Sequence, residues 1–286
     1  MRRWPRRLFL AVPLVWVAVA HVGPLIAMAR ISVFAAYPGP PGVAPAWSPA
    51  AYATFLQGAG YRASLVHSLI LATVTTAVSL LLAYPLAYHV ALCVAPARRG
   101  RRLMLLVAPF WTSEVLRMFA VVLLLANRGA LNALLRWLGL THAPILMLYG
   151  SGAVLAGIVY TVLLSMLLPL YGALDRLPVV LLDAAANLGA GAWYRFWYVT
   201  LPLTGRGVAA GVILTFLASL GVFAAPALLG GAGTPVFATV IADLFGAASG
   251  RWPMGAAFGF ILLVAGTACA TGLAALAPGI RQPRPG

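Results

Sequence analysis

The sequence predicts an all-α integral membrane protein with six transmembrane helices. Three observations support this fold class. Of the 286 residues, 63% are apolar and 8% are charged, whereas soluble domains are about half apolar and about a quarter charged. Six apolar runs reach the length of about 20 residues that a helix needs to cross a bilayer. Arginine is concentrated in alternate loops, as expected for a membrane protein.

The six apolar runs are the predicted spans. A transmembrane β-barrel needs short segments of alternating polarity. The sequence lacks such segments, so a β-barrel is excluded. The second run is longer than a span requires, so we expect it to tilt or to extend beyond the lipid. The runs cover residues 8–29, 64–95, 103–126, 146–172, 207–229 and 253–277.

Arginine placement predicts the orientation of the spans. The chain has 19 basic and 4 acidic residues, and every basic residue is arginine. Thirteen arginines lie in one set of alternate segments, five lie in the opposite set, and Arg117 lies inside a span. Because cytoplasmic segments carry the excess of positive charge, both termini are predicted to be cytoplasmic. Residues 6–10 are similar to a twin-arginine export signal, but the run that follows has the length of a full span, so we expect a retained first helix.

The residue types that most enzymes need are scarce. The chain has no lysine, which excludes a P-loop of the usual form and a Schiff-base lysine, so any ATP must bind to another chain. No two of the acidic and histidine residues lie three or four positions apart, so a local metal-ligand pair is lacking. The two cysteines form no C-x-x-C pair. The sequence therefore predicts no enzyme, no metal site, no bound cofactor and no nucleic-acid partner.

Two ionisable residues lie inside the third apolar run. Glu114 and Arg117 are three positions apart, so a helix places them on one face, where they can pair. In a structural interpretation they form a self-neutralising pair that faces protein. In a functional interpretation they belong to a polar pathway, because charges are costly in lipid and mark such pathways.

Two loops are predicted on the external side. Residues 31–63 contain the Pro/Gly-rich stretch 37–42 followed by aromatic residues, which predicts a turn and then an interfacial segment. Residues 127–140 carry leucines at helical spacing and predict a short amphipathic helix. Within the spans, Gly207-x-x-x-Gly211 and Gly255-x-x-x-Gly259 permit close helix contacts.

The longest cytoplasmic loop, residues 173–206, predicts a helix–turn–helix at the membrane surface. Asp183 is a favourable N-cap, and the alanines after it give a smooth helix face. Gly189 and Gly191 can end this helix and let the chain turn. An aromatic stretch follows, which Leu201-Pro202 is predicted to stop before the next span begins. A helix that lies flat on the membrane is the alternative.

The same loop carries a motif of known spacing. Asp183-Ala184-Ala185, Gly189, Val199 and Leu201-Pro202 are spaced as in E-A-A-x3-G-x9-I-x-L-P. This pattern resembles the EAA motif of ABC-importer permeases, with Asp for Glu and Val for Ile.

Three further segments resemble the spermidine/putrescine permease subfamily. PFWTSEVLRMFA at 109–120 resembles P-F-W-T-S-x-x-x-R-x-Y-A-W, with Phe119 for Tyr and Val121 for the last Trp. NRGALN at 127–132 resembles G-x-x-G-x-x-N, and WPMGAA at 252–257 resembles W-P-x-G-A-A. The resemblance extends roughly over residues 64–277.

The resemblance implies a type I ABC-importer (MetI-like) permease fold in the bacterial inner membrane. Residues 64–279 would form a five-helix core, residues 1–63 an extra helix with a long periplasmic loop, and residues 280–286 a cytoplasmic tail. The implied partners are membrane lipid, a second homologous permease, two ATP-binding-cassette ATPase subunits that use ATP and Mg, and a periplasmic or lipid-anchored solute-binding protein. The residues implied to couple to the ATPase are Asp183, Ala184, Ala185, Gly189, Leu201 and Pro202.

The resemblance also implies a substrate, a polyamine or a related organic cation. Ferric iron, an opine or another small solute is the alternative, and a secondary transporter or channel without an ATPase is a more distant one. A multiple cation favours acidic groups and aromatic faces, although Arg117 beside Glu114 weakens the electrostatic case. The candidate pathway residues are Trp111, Glu114, Arg117, Phe119 and Asp243.

Overall fold

The computed structural model describes residues 6–39, 46–231, 235–246 and 250–275. Within these ranges the chain forms fourteen α-helices and no strand beyond isolated bridges. The helices are α1 Arg6–Val17, α2 Gly23–Ile31, α3 Ala50–Gln57, α4 Ala59–Tyr88, α5 Pro96–Val107, α6 Glu114–Leu125, α7 Ala130–Trp137, α8 Ser151–Asp175, α9 Val179–Asn187, α10 Ala192–Arg195, α11 Leu201–Gly221, α12 Ala224–Leu229, α13 Phe237–Phe245 and α14 Trp252–Ala275. Shorter segments are π-helical at Ala18–Val22, His89–Cys93 and Phe196–Thr200, and 3-10 helical at Ala108–Trp111.

Six stretches of helix are long and apolar enough to cross a membrane, which confirms the predicted fold class. The second is 35 residues long, more than a bilayer requires, as its apolar run predicts. The six are Ala11–Ile31, Ala59–Cys93, Glu114–Trp137, Ser151–Asp175, Ala192–Gly221 and Trp252–Ala275. Several of their bounds differ from those of the apolar runs.

The third apolar run is broken, so the prediction of one helix over residues 103–126 was wrong. α5 ends at Val107, a 3-10 turn follows, and Thr112 and Ser113 are extended before α6 begins at Glu114. Pro109 lies at this break, and it has no N–H for the helical ladder. The Thr112 hydroxyl donates a hydrogen bond of 2.8 Å to the Pro109 carbonyl, which stabilises the turn.

The fifth span begins earlier than predicted, at Ala192 instead of residue 207. The expectation that Leu201-Pro202 stops the preceding segment was also wrong, because the helix continues through it. The Leu201 N–H donates to the Phe196 carbonyl, five residues back, and this wider turn accommodates the missing N–H of Pro202. A π-helical segment also precedes Pro24. The predicted span over residues 207–229 is also interrupted near its C-terminal end, because α11 ends at Gly221 and α12 begins at Ala224.

The chain divides into two compact units. The first contains the described residues of Met1–Leu65 and Thr239–Val264, and the second those of Val66–Ala238 and Ala265–Gly286.

The first unit is held together by aromatic contacts. The Phe258 ring contacts Phe55 and Tyr61 edge-on, with centroid distances of 5.5 and 4.9 Å. Gly255 lies against the Phe245 ring, where an added Cβ would be 3.0 Å away, and Gly259 leaves room for a methionine. The predicted turn and interfacial segment correspond to residues 31–39 and to α3. The prolines and glycine at 40–42 lie outside the described residues, as does the tail 280–286.

In the second unit, α8 packs along α11. The predicted Gly207-x-x-x-Gly211 pair lies in this contact. A Cβ at Gly207 would overlap Ala173, and one at Gly211 would lie 2.7 Å from the Met166 sulfur. Small residues therefore let the two helices approach closely.

The predicted amphipathic helix is present as α7. Its Asn132 is fully buried and forms three hydrogen bonds. The amide nitrogen donates to the carbonyls of Ala126 and Ile145 at 3.1 and 3.0 Å, and the amide oxygen accepts from the Ile145 N–H at 2.9 Å. The asparagine of the G-x-x-G-x-x-N resemblance thus holds α7 to the chain on both sides of it.

Candidate functional site

Helix α9 contains the first part of the candidate coupling motif and protrudes from its own chain. None of its residues is buried. Large apolar side chains are exposed to solvent in this chain. Val180 is 74% exposed, and Leu188, in the turn that follows α9, is 89% exposed. α9 packs against α10 and the π-helical segment Phe196–Thr200. An exposed apolar surface of this kind indicates that another molecule covers it.

Asp183 lies in the middle of α9, so its prediction as an N-cap was wrong. The helix begins at Val179, directly after Pro178. A proline preorganises the chain for a helix start, and the Leu181 N–H donates to the Pro178 carbonyl at 3.0 Å. Asp183 and Ala184 are exposed, whereas Ala185 is half-buried.

Gly189 ends α9, as predicted. Its φ of +83° lies in the left-handed region, which glycine adopts without steric cost. Two backbone hydrogen bonds close the turn, from Gly189 to the Ala186 carbonyl at 2.9 Å and from Ala190 to the Ala185 carbonyl at 3.0 Å. This is the Schellman arrangement. Gly191 has an ordinary φ of −65° and precedes α10.

The base of the loop is fixed by an ion pair that the sequence does not reveal. Arg99 donates to the Asp175 carboxylate at 2.9 Å and to the Val94 carbonyl at 3.0 Å. It is the only salt bridge between described residues. Arg99 and Asp175 are 76 positions apart, so no local pattern relates them. The pair joins the first turns of α5 to the end of α8.

The aromatic segment after the turn has one inward-facing ring. Phe196 contacts the Tyr84 ring edge-on at 5.4 Å, and the Tyr84 hydroxyl is hydrogen-bonded to that of Thr204 at 2.9 Å. The other rings, Trp193, Tyr194, Trp197 and Tyr198, are exposed. Leu201 and Pro202 are half-buried in the first turn of α11. The second half of the motif, Val199 and Leu201-Pro202, therefore lies within a continuous helix from Ala192 to Gly221, which follows the turn at Gly189.

Glu114 and Arg117 do not form the predicted self-neutralising pair, since no salt bridge joins them in the described structure. The Arg117 guanidinium instead lies over the rings of Phe110 and Tyr160, at 5.4 and 5.5 Å from their centroids. Such rings attract a cation. Glu114 is the first residue of α6, where the helix dipole stabilises a carboxylate. Glu114 therefore forms no ion pair with Arg117 among the described residues.

The remaining pathway candidates, Trp111, Phe119 and Asp243, are exposed. Trp111 and Phe119 are 77% and 51% exposed. Phe119 is five positions after Glu114, which places it about 140° around α6. In the first unit, Asp243 is exposed on α13. Among the described residues, no three histidine, cysteine or acidic side chains are grouped as metal ligands.

Comparison with known proteins identifies relatives in sequence and in fold. The chain is 38% identical over 204 residues to the spermidine/putrescine transport system permease protein PotB of Haemophilus influenzae, covering 71% of each protein. It is 31% identical over 270 residues to the inner membrane ABC transporter permease protein YdcU of Escherichia coli, covering 90% of this chain and 85% of that protein. No protein-family model matches.

A solved structure shares the fold. It is a bacterial ABC transporter involved in the import of the acidic polysaccharide alginate, with a TM-score of 0.73. The match covers 98% of this chain and 96% of that chain at 20% identity. This likeness concerns the fold alone, whereas the two sequence relatives connect the chain to transport proteins.

Proposed function

Because the chain belongs to the ABC transporter permease family that includes the PotB proteins, we propose that it forms half of an importer's translocation pathway and couples that pathway to a separate ATPase. The observation that carries this proposal is the exposed helix α9, which ends at the left-handed Gly189. In this arrangement α9 inserts into a groove of the ATPase. A second permease supplies the other half of the pathway, and a solute-binding protein delivers substrate outside.

The exposed surface of α9 favours a protein partner over a lipid surface. Asp183 lies about 60° around the helix from the apolar Val180, and Asn187 lies between them. All three are exposed. A helix that lies flat on a membrane would separate its polar and apolar sides. The mixed surface of α9 is suited to a groove that offers both kinds of contact.

Two connections would transmit movement of α9 into the membrane. On one side, α9 follows the end of α8, where Asp175 is paired with Arg99. On the other, the turn at Gly189 leads into the continuous helix that contains α10 and α11. Closure of two ATPase subunits on ATP would displace α9 and move these helices as rigid bodies. The excess of arginine in alternate segments supports a cytoplasmic location for this loop and for both termini.

Co-purification of the tagged protein from native membranes in a gentle detergent tests this function. Mass spectrometry is expected to identify an ATP-binding-cassette ATPase and a second permease. Truncation of α9's apolar contacts, Val180→Ala with Leu188→Ala, is expected to release the ATPase and to retain the second permease. A chain that purifies alone or only with copies of itself would contradict the proposal and favour a secondary transporter or channel.

The substrate proposed for this importer is a polyamine. The named relatives include spermidine/putrescine permeases, and Glu114 is a carboxylate that Arg117 leaves unpaired. A carboxylate of this kind can attract a multiple cation. Ferric iron and opines remain the alternatives, and the latter carry carboxylates that Glu114 would repel.

Glu114→Gln is expected to lower polyamine uptake while complex assembly is unchanged. Loss of one attractive charge removes about 1 kcal/mol, or roughly fivefold in uptake at low substrate concentration. Radiolabelled putrescine uptake by cells measures the effect, and co-purification of the ATPase measures assembly. Glu114→Asp keeps the charge and is expected to retain most uptake. Wild-type uptake by Glu114→Gln would remove Glu114 from the pathway.

A further inference from the structure

A groove of about 520 Å³ opens between the end of α8 and the beginning of α11. It is not part of the coupling motif. Each helix lines it with residues at the i, i+3, i+4 and i+7 spacing of one face. On α8 this row runs from Pro169 to Arg176, directly after the helix, and on α11 it runs from Leu203 to Ala210. The groove thus follows the two helices from the cytoplasmic end of the spans into the membrane.

Two unpaired arginines lie at the cytoplasmic end of this groove. Arg176 and Arg206 both line it and both are exposed. Neither forms a salt bridge within the described part of the chain, because the nearby carboxylate of Asp175 is already paired with Arg99. The groove therefore presents two positive charges for which the described chain supplies no counter-ion.

Apart from the two arginines, the groove is lined by apolar residues and glycines. Pro169 and Ala210 line its membrane end. At Gly172, an added Cβ would meet no atom within 4 Å, so the wall is open there. α8 and α11 are in close contact at Ala173 and Gly207, which also line the groove. The groove therefore runs along the protein surface, with two positive charges at one end and small apolar residues at the other.

We propose that this groove binds an anionic phospholipid of the cytoplasmic leaflet. The lipid phosphate lies beside Arg176 and Arg206, and an acyl chain follows the apolar wall past Gly172. Basic pockets between transmembrane helices on the cytoplasmic side are suited to anionic headgroups. The assignment of the leaflet rests on the orientation given under the proposed function. A helix of the second permease is the competing occupant, and it would have to bring acidic side chains.

Native mass spectrometry of the purified complex tests the charges, with phosphatidylglycerol and phosphatidylethanolamine titrated as probes. The wild-type complex is expected to bind phosphatidylglycerol more tightly than phosphatidylethanolamine. Arg176→Gln with Arg206→Gln is expected to weaken its binding roughly tenfold or more, since each arginine contributes to the attraction. Arg98→Gln with Arg101→Gln, two exposed arginines of α5, removes the same charge and is expected to change binding less than twofold. Equal losses in both double variants would overturn the proposal.

A second variant tests the groove without changing charge. Gly172→Leu places a side chain in open space and is expected to displace the lipid while both arginines remain. Gly172→Cys gives the opposing test, because a cross-link to the second permease would show that protein covers the groove and would overturn the lipid assignment. ATPase co-purification is measured for each variant. If the wild type does not co-purify with an ATPase, the proposed function is contradicted. If the ATPase is retained but lipid binding is unchanged in Gly172→Leu and in the Arg176/Arg206 double variant, only this inference is contradicted.

Discussion

Gly189→Val is expected to abolish ATP-driven uptake while the chain still inserts and folds in the membrane. The residue has φ of +83°, a conformation that is strongly unfavourable for a β-branched side chain. The cost of a non-glycine residue in this region is about 1–3 kcal/mol. An added Cβ would meet no atom within 4 Å, so the effect arises from backbone conformation and not from collision. The turn would open, and α9 would lose its fixed direction.

Two matched variants separate this effect from simple loss of a glycine. Gly189→Asn is expected to retain much of the uptake, because asparagine tolerates the left-handed conformation. Gly191→Ala is expected to be close to wild type, because Gly191 has an ordinary φ. Uptake and ATPase co-purification are measured for all three. Gly189→Arg adds bulk at the docking surface and is expected to be inactive as well. Normal uptake by Gly189→Val would show that the turn does not direct coupling.

Gly207→Leu is expected to produce the largest loss of stability. Its Cβ would overlap Ala173 and lie 3.0 Å from the backbone oxygen of Pro169. The backbone oxygen cannot rotate away as a flexible side chain can, so α8 and α11 must separate. Overpacking of a core typically costs about 1–3 kcal/mol, and here it also removes the dispersion contacts along the helix pair.

Thermal unfolding of the purified chain in detergent measures this effect. A fall in Tm of several degrees or more is expected for Gly207→Leu. Gly152→Leu is the matched control, because Gly152 lies in α8 with no atom within 4 Å of an added Cβ. Its Tm is expected to stay near that of the wild type. A similar fall in both variants would attribute the loss to glycine replacement in general and not to the helix contact.

The sequence predicts the number of spans because the cost of exposing polar backbone to lipid requires long apolar helices. Hydropathy does not show where such a run is broken. Pro109 and Pro202 are both prolines within or beside apolar stretches, yet the chain breaks at the first and continues through the second. A π-helical turn precedes Pro202, and in that turn Phe196 packs against Tyr84, 112 positions earlier in the chain.

The candidate site shows the same division between local and long-range effects. Gly189 was predictable because the turn needs a conformation that glycine adopts freely. Asp183 was misplaced because its N-cap preference is local, and Pro178 sets the helix start first. The Arg99–Asp175 pair and the rings around Arg117 are created by packing between distant segments. No spacing in the sequence could reveal them.

The continuous helix from Ala192 to Gly221 has a mechanical consequence. Its 30 residues correspond to a rod about 45 Å long, with no flexible joint between the turn at Gly189 and the far end of the span. If this rod pivots within the span, a tilt imposed at its Ala192 end gives a displacement of opposite sign at its Gly221 end. The π-helical turn at Phe196–Thr200 is the weakest section of this rod, because its hydrogen bonds are the least regular. We therefore expect the rod to bend first at this turn, where Phe196 packs against the Tyr84 ring.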